Sequence, residues 1–379
     1  MRNVTAFSNP FISLFILFIS LLTAVILASH PVQATTITGV DFLGQTTFPT
    51  GTTFRNTQVG GLSGITYNPR RNVYYSISDD RSQKNPGRFY TLNINLSGNK
   101  LGAVRFTNVT TLLNDNGKPF PPLSLDAEGI AFTKRGTVFI SSEGDTNKLI
   151  NPFINEFTLT GRLRRKLPIP DKFLPVPSDK KRGIRNNLAF ESLTITPNHK
   201  YLFTATENAL LQDGEEATPT NGSPSRILQY NLRTGKAERE FLYLTDSVAA
   251  AANPPDSMNA NGLVDLAALD NNHLISLERS FSLGVGNTIK LYEVVLSGAT
   301  NISKIERLNA VEIKKIQPVK KELLLNLSKL NIPWDNIEGM TLGATLADKR
   351  RTLILVSDNN FNPLQTTQVL ALALKFNHR

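Results

Sequence analysis

Short apolar segments separated by polar turns run through most of the chain, and one pairing of them recurs five times. In its clearest copy, residues 336–341 lead through the polar turn Ala347-Asp348-Lys349-Arg350-Arg351 into residues 353–360. The other copies join residues 62–67 to 73–80, 126–132 to 138–144, 190–195 to 201–208 and 264–269 to 274–279. Their turns are Asn68-Pro69-Arg70-Arg71, Lys134-Arg135-Gly136, Pro197-Asn198-His199 and Asp270-Asn271-Asn272. Runs of this length, bounded by Asn, Asp, Gly and Pro, read as β-hairpins. Registered on Gly64, Gly129, Ser192, Leu266 and Gly339, the copies recur roughly every 70 residues, which indicates a β-propeller rather than a sandwich or barrel.

Each copy continues into a third strand, at residues 88–92, 154–158, 226–230, 290–294 and 368–372. Turn residues then lead into fourth strands such as 104–109 and 238–244. Four strands make one blade, so the count predicts an all-β propeller of five four-stranded blades. The fifth copy ends without a fourth strand, whereas residues 36–43 form a spare strand ahead of the first. Pairing that strand with the last blade closes the ring and removes an exposed edge. Residues 309–335 read as a loop with a short helix over 319–330, with a degenerate sixth blade as the alternative.

The N-terminal pattern is different. Arg2 is followed by an apolar run over residues 11–28 and by Val32-Gln33-Ala34, which fits a small-residue cleavage site. This predicts a signal peptide over 1–34 and a single exported domain over 35–379, in the periplasm or outside the cell. An uncleaved membrane anchor is the alternative; no second apolar span follows, so the mature chain is expected to have none. Cysteine is absent, so packing and ring closure must supply the stability that disulfides could give an exported protein. The formal net charge is +10, spread in small clusters at residues 162–166, 180–185, 314–321 and 349–351. These read as solvated loop charge, and no nucleic-acid motif accompanies them.

Acids stand where the repeated hairpins open and close. The openings carry Glu128, Glu191, Asp265 and Glu338, with Ser63 in the first copy. The closings carry Asp79, Asp80, Glu143, Glu207, Glu278 and Asp358. Antiparallel pairing puts both sets at one mouth of the central channel. Carboxylates gathered on one axis repel unless they are compensated. A hard cation is one solution, with Asp79, Glu128, Glu143, Glu191, Glu207, Glu278, Glu338 and Asp358 as candidate ligands; all-oxygen ligation suits calcium or magnesium. The other is internal, through backbone N–H groups and Arg81, Arg185 and Arg279. Histidine narrows the chemistry: His199 and His273 fall in turns away from this mouth, His30 in the leader and His378 at the end. A Ser-His-Asp hydrolase lacks its base, and no phosphate loop or dinucleotide fingerprint occurs.

The ordered series GLSGITYNP…YYSISDDR, DAEGIAF…VFISSEGD, RNNLAFESLTI…TATENALLQDG, LYEVVLSGAT and NIEGMTLG…LILVSDNNFN…QTTQVLALAL resembles the bacterial phytase-like domain family, also called "esterase-like activity of phytase". The resemblance covers nearly all of the chain after residue 34. One departure is Asp265, where the family more often has glutamate; another is the absence of the Asp-Ala-Ala-Asp-Asp string expected of propeller phytases. The resemblance implies a calcium-laden acidic mouth that hydrolyses phosphoesters. The expectation is a calcium-assisted hydrolase of phosphate or carboxylic esters, a monomer acting on a small anionic substrate. Glu128, Glu191 and Glu338 would be catalytic, and Arg81 and Arg185 would hold the substrate. A lactonase would use the same ring, and the alternative is a non-catalytic propeller that binds a ligand or protein in the envelope.

Overall fold

Every repeated hairpin is extended by two more antiparallel strands, so that each copy becomes a four-stranded sheet. The computed structural model describes residues 36–176 and 181–377; the leader reading at 1–34 and His378 lie outside them. From the channel outward, blade 1 consists of Gly64–Asn68, Val73–Ser78, Arg88–Ile94 and Val104–Thr111. Blade 2 consists of Ala127–Phe132, Thr137–Ser142, Phe153–Thr158 and Leu163–Leu167. Blade 3 has the shortest inner strand, Thr194–Ile195, followed by Tyr201–Ala205, Pro224–Asn231 and Lys236–Leu244. Blade 4 has the longest, Asn259–Ala268, followed by His273–Ser282, Gly286–Val295 and Lys320–Asn326. Blade 5 runs Ile337–Thr345, Arg351–Ser357 and Thr366–Phe376, and is completed by Ile37–Pro49 from the other end of the described chain. Inner strands touch in the cyclic order 1-2-3-4-5-1, giving a five-bladed β-propeller.

The core lies between blades. Each main apolar cluster mixes two adjacent sheets: Tyr75 and Ile77 of blade 1 meet Ile130 and Val138 of blade 2, while Val264 and Leu277 of blade 4 meet Met340 and Leu355 of blade 5. A blade covered on both faces needs apolar residues on both, which explains continuous runs such as Leu353-Ile354-Leu355-Val356. The closing strand carries Leu43 into the seam between blades 5 and 1, and pairs with Thr366–Phe376 along its length.

The structure differs from the sequence reading at 319–330. Lys320–Asn326 is the outer strand of blade 4, not helix, and only Leu327–Leu330 forms a 3-10 turn. The leucines at 323, 324, 327 and 330 suit helical spacing. The unpaired edge of Gly286–Val295 nevertheless takes the backbone, from Lys290↔Asn326 to Val295↔Lys320. No sixth blade forms there.

Candidate functional site

A one-residue bulge sets the direction of the opening acids. In blade 5, Ile337 pairs with Ser357 and Gly339 with Val356, so Glu338 is extruded from the ladder. Blade 2 has the same irregularity between Ala127 and Ile130. In blade 4, Leu263 pairs with Glu278 and Asp265 with Leu277, so the extruded residue is Val264. The backbone bonds that start each hairpin agree: Asp79 N–H donates to Gly61, Glu143 to Asp126, Glu207 to Ala189 and Asp358 to Asn336, while Arg279 pairs with Gly262. The true equivalents are therefore Ser63, Glu128, Glu191, Val264 and Glu338 at the opening. At the closing they are Asp79, Glu143, Glu207, Arg279 and Asp358.

Blade 4 is thus one residue out of the register read from the sequence, and two assignments change. Glu278 does not join the ring. It is buried in blade 4, accepting from Tyr243 Oη at 2.7 Å, Asn261 Nδ2 at 2.9 Å and the Asp246 N–H at 2.8 Å, and pairing with Lys321 at 2.5 Å. Asp265 stands level with Gly64, Gly129 and Gly339 and accepts the N–H groups of Leu266 at 2.7 Å and Met340 at 2.6 Å. It ties blade 4 to blade 5. Those glycines mark where inner strands come closest: a Cβ on Gly64 would lie 2.5 Å from the Glu128 carbonyl oxygen, and one on Gly339 2.7 Å from that of Ser63.

Around Arg279, the acids of blades 3 to 5 converge. Its guanidinium lies 2.9 Å from Glu338 and 3.5 Å from Glu207, and also feels Glu191 and Asp358. Asn336 Nδ2 donates to Glu338 at 3.0 Å, and the Asn360 N–H to Asp358 at 2.7 Å. Glu143 accepts the Ala189 N–H. Gly262 is required beside Glu207, because a Cβ there would fall 2.2 Å from that carboxylate.

On the opposite side, Asp79, Asp126 and Glu128 each present an oxygen within 4.8 Å of the others. Asp79 Oδ1 is buried and accepts from no N–H or hydroxyl, while a hydrogen bond between the Asp79 and Asp126 carboxyls favours a proton on Asp79. Arg81, with 26% of its side chain exposed, lies 3.1 Å from Asp126 and 3.2 Å from Asp145. Burial raises the pKa values of Asp79, Asp126 and Glu128, the neighbouring charges Asp126, Asp358 and Glu338 add to the rise at Asp79, and the hydrogen bond from Lys148 holds Asp145 below its usual range. Glu128 and Glu191 are pushed well above the usual carboxylate range for the same reasons. Asp126 rises to about 6, Glu207 to about 7 and Asp358 to about 8, with Arg81 or Arg279 opposing.

A family model described as "Phytase-like: Esterase-like activity of phytase" matches residues 57–361. The chain belongs to the phytase-like family. It is 26% identical over 144 residues to an uncharacterized secreted protein of Arthroderma benhamiae, a match covering 32% of this chain and 27% of that one. The phytase-like chain therefore spans about a quarter of that relative. Among solved structures, it resembles the tail fibre of Staphylococcus aureus phage P68 (14% identity, 88% of this chain and 52% of that chain, TM-score 0.39). It also resembles a protein of unknown function from Dyadobacter fermentans (10% identity, 89% and 100%, TM-score 0.38). No chemistry is carried over from either.

Of the residues singled out from the sequence, the phytase-like ring brings together Asp79, Glu128, Glu143, Glu191, Glu207, Glu338 and Asp358. Arg185 is occupied elsewhere: it donates to the carbonyls of Ala209 and Gly214 and pairs with Glu216 at 3.2 Å. Asp80 is buried against Arg88 at 2.5 Å, within blade 1. Asp126 is the member that sequence reasoning missed. It opens the second copy two residues before Glu128, where the other blades have Gly61, Ala189, Gly262 and Asn336, so nothing in the repeat marks it. No helix among the described residues is long and apolar enough to cross a membrane.

Proposed function

We propose that the protein is an exported, cation-assisted hydrolase of phosphate or carboxylic esters. Calcium would be held by Asp79, Asp126 and Glu128, at the edge of the ring farthest from Arg279. The observation that carries this reading is that convergence of three carboxylate oxygens within 4.8 Å. The donor set is oxygen only, which fits calcium or magnesium and not zinc. Bound there, the cation would polarise an ester oxygen and offset the charge of the ring. Glu191, close to Glu143 and Glu207, keeps a proton more readily than a free carboxylate and is suited to exchange one with water or a leaving group. Glu338 is fixed by Arg279 and Asn336 and positions rather than transfers. Arg81 is placed to hold a substrate anion beside Asp126; Arg185 has no part in this reading, since its donors are taken. Export is supported by the leader pattern of residues 1–34 and by the match to a protein described as secreted.

The test uses purified protein lacking residues 1–34. Calcium titration by calorimetry should show a site that Asp79→Asn removes. Turnover of p-nitrophenyl phosphate or p-nitrophenyl acetate should need calcium and fall at least roughly tenfold, about 1.4 kcal/mol, in Glu191→Gln. Calcium binding without turnover on either substrate class would leave a binding propeller, a reading that the deep burial of the ring acids favours.

A further inference from the structure

The other end of the channel has the opposite character. Between the two ends lie the close contacts of neighbouring inner strands at Gly64, Gly129 and Gly339. Beyond them a cavity of about 560 Å³ opens among the turns that follow the inner strands. Four of the five blades place a basic side chain in its lining: Arg70, Lys134, His199 and Arg351. Blade 4 contributes none; in its turn His273 Nδ1 is tied to Asp270 at 2.8 Å.

These cations lack counterions. Among the described residues no carboxylate pairs with Arg70, Lys134 or Arg351, and the three stand around one cavity. Arg351 is half-buried, and that burial depresses its pKa. His199 Nδ1 is buried without a hydrogen-bond partner; burial, together with Lys134 and Arg70, opposes protonation of its ring. Two hydroxyls in the wall add unspent donors. Thr66 Oγ1 accepts the Phe132 N–H at 2.9 Å and Thr194 Oγ1 the Ala268 N–H at 3.0 Å, which leaves each O–H free to donate into the cavity.

Like charges gathered around one cavity repel, with Arg351 and His199 half-buried in its wall and Arg70 and Lys134 exposed at its rim. We propose that this mouth is a second binding site, for a small multivalent oxyanion such as a phosphate, a diphosphate or a tricarboxylate. Three unpaired cations from three blades call for more than one negative charge. Arg351 supplies a planar fork from the second strand of blade 5, and Lys134 and Arg70 supply charge from neighbouring turns. The site is independent of the ester-hydrolase reading, because it uses no residue of the acidic ring.

The probe is the anion itself, and the reporter is His199. Protein lacking residues 1–34 is stripped of divalent ions on a chelating resin, so that calcium-bridged binding at the acidic mouth cannot contribute. Its histidine Cε1 resonances are then followed by NMR while inorganic phosphate, diphosphate, citrate or acetate is added. The expected result is a saturable shift of the His199 resonance with diphosphate and citrate, little with acetate, and none at His273. Arg351→Gln and the more exposed Lys134→Gln should each weaken diphosphate binding roughly tenfold with an unchanged melting temperature. A His199 resonance that no multivalent anion moves would overturn the proposal. So would binding that Lys134→Gln and a folded Arg351→Gln both leave intact. Acetate binding as tightly as diphosphate would overturn the requirement for a multivalent ligand.

Discussion

The two halves of the acidic ring meet one electrostatic problem with different means. On the side of blades 3 to 5, Glu191, Glu207, Glu338 and Asp358 surround Arg279, a cation that stands where the other blades have a closing acid. On the side of blades 1 and 2, Asp79, Asp126 and Glu128 have Arg81 at their edge, half-exposed and shared with Asp145. One half is neutralised from within. The other has three carboxylates with oxygens within 4.8 Å of one another and only Arg81 beside them. Repetition built the ring, and the single irregular blade made it asymmetric.

The sharpest way to break that comparison is Arg279→Met. Removing a buried counterion strands several carboxylates, and we expect a loss of about 3–5 kcal/mol in urea unfolding without added metal. A cost near zero would mean that the acids on that side are neutral and need no arginine. Calcium should act on the other half. At a concentration of about 100 times its Kd it should stabilise the wild type by about 2.7 kcal/mol. Asp79→Asn should abolish this gain, read as a calcium-dependent melting temperature, while Arg279→Lys keeps it.

The pH dependence sharpens the comparison further. Asp126, Glu207 and Asp358 bind protons more tightly folded than unfolded, with folded values of about 6, 7 and 8. Their contribution is complete below the unfolded carboxylate range and is lost as pH rises through those folded values. Metal-free protein should therefore lose stability between about pH 5 and about pH 8, at no more than about 1.4 kcal/mol per pH unit for each group. Calcium should flatten the part due to Asp126 and leave the part due to Glu207, as pH-resolved denaturation would show. The smallest effect is expected at Ser63, the uncharged opening residue of blade 1, whose hydroxyl donates to the Glu128 carbonyl at 2.9 Å. Ser63→Ala should cost about 1 kcal/mol and leave calcium affinity unchanged; a change in affinity would show that the inter-blade seam also shapes the cation site.

Much of this molecule was legible before any coordinates. Hairpins of short apolar runs, bounded by Asn, Asp, Gly and Pro, mark the blades, because strand pairing and turn chemistry act over a few residues. The strand at Ile37–Pro49 was legible as a closing strand because an incomplete last copy leaves an edge to be covered. The outer strand of blade 4 was not: the leucines of Lys320–Asn326 and the turn after it fit a helix equally well, and the waiting edge of Gly286–Val295 decided between them.

For the site, the sequence by itself determined that acids recur at hairpin ends and that no histidine joins them. It could not determine which acids face one another. A bulge moves one residue out of the ladder, and in a strand a shift of one residue turns a side chain to the opposite face. At Val264 that shift placed Asp265 on backbone N–H groups, sent Glu278 to Lys321 and brought Arg279 into the ring. The partnership of Asp79 with Asp126 and Glu128 likewise exists only across the seam of blades 1 and 2. Local periodicity set the number of blades, while register and packing between blades, which are long-range, set the charge around the channel.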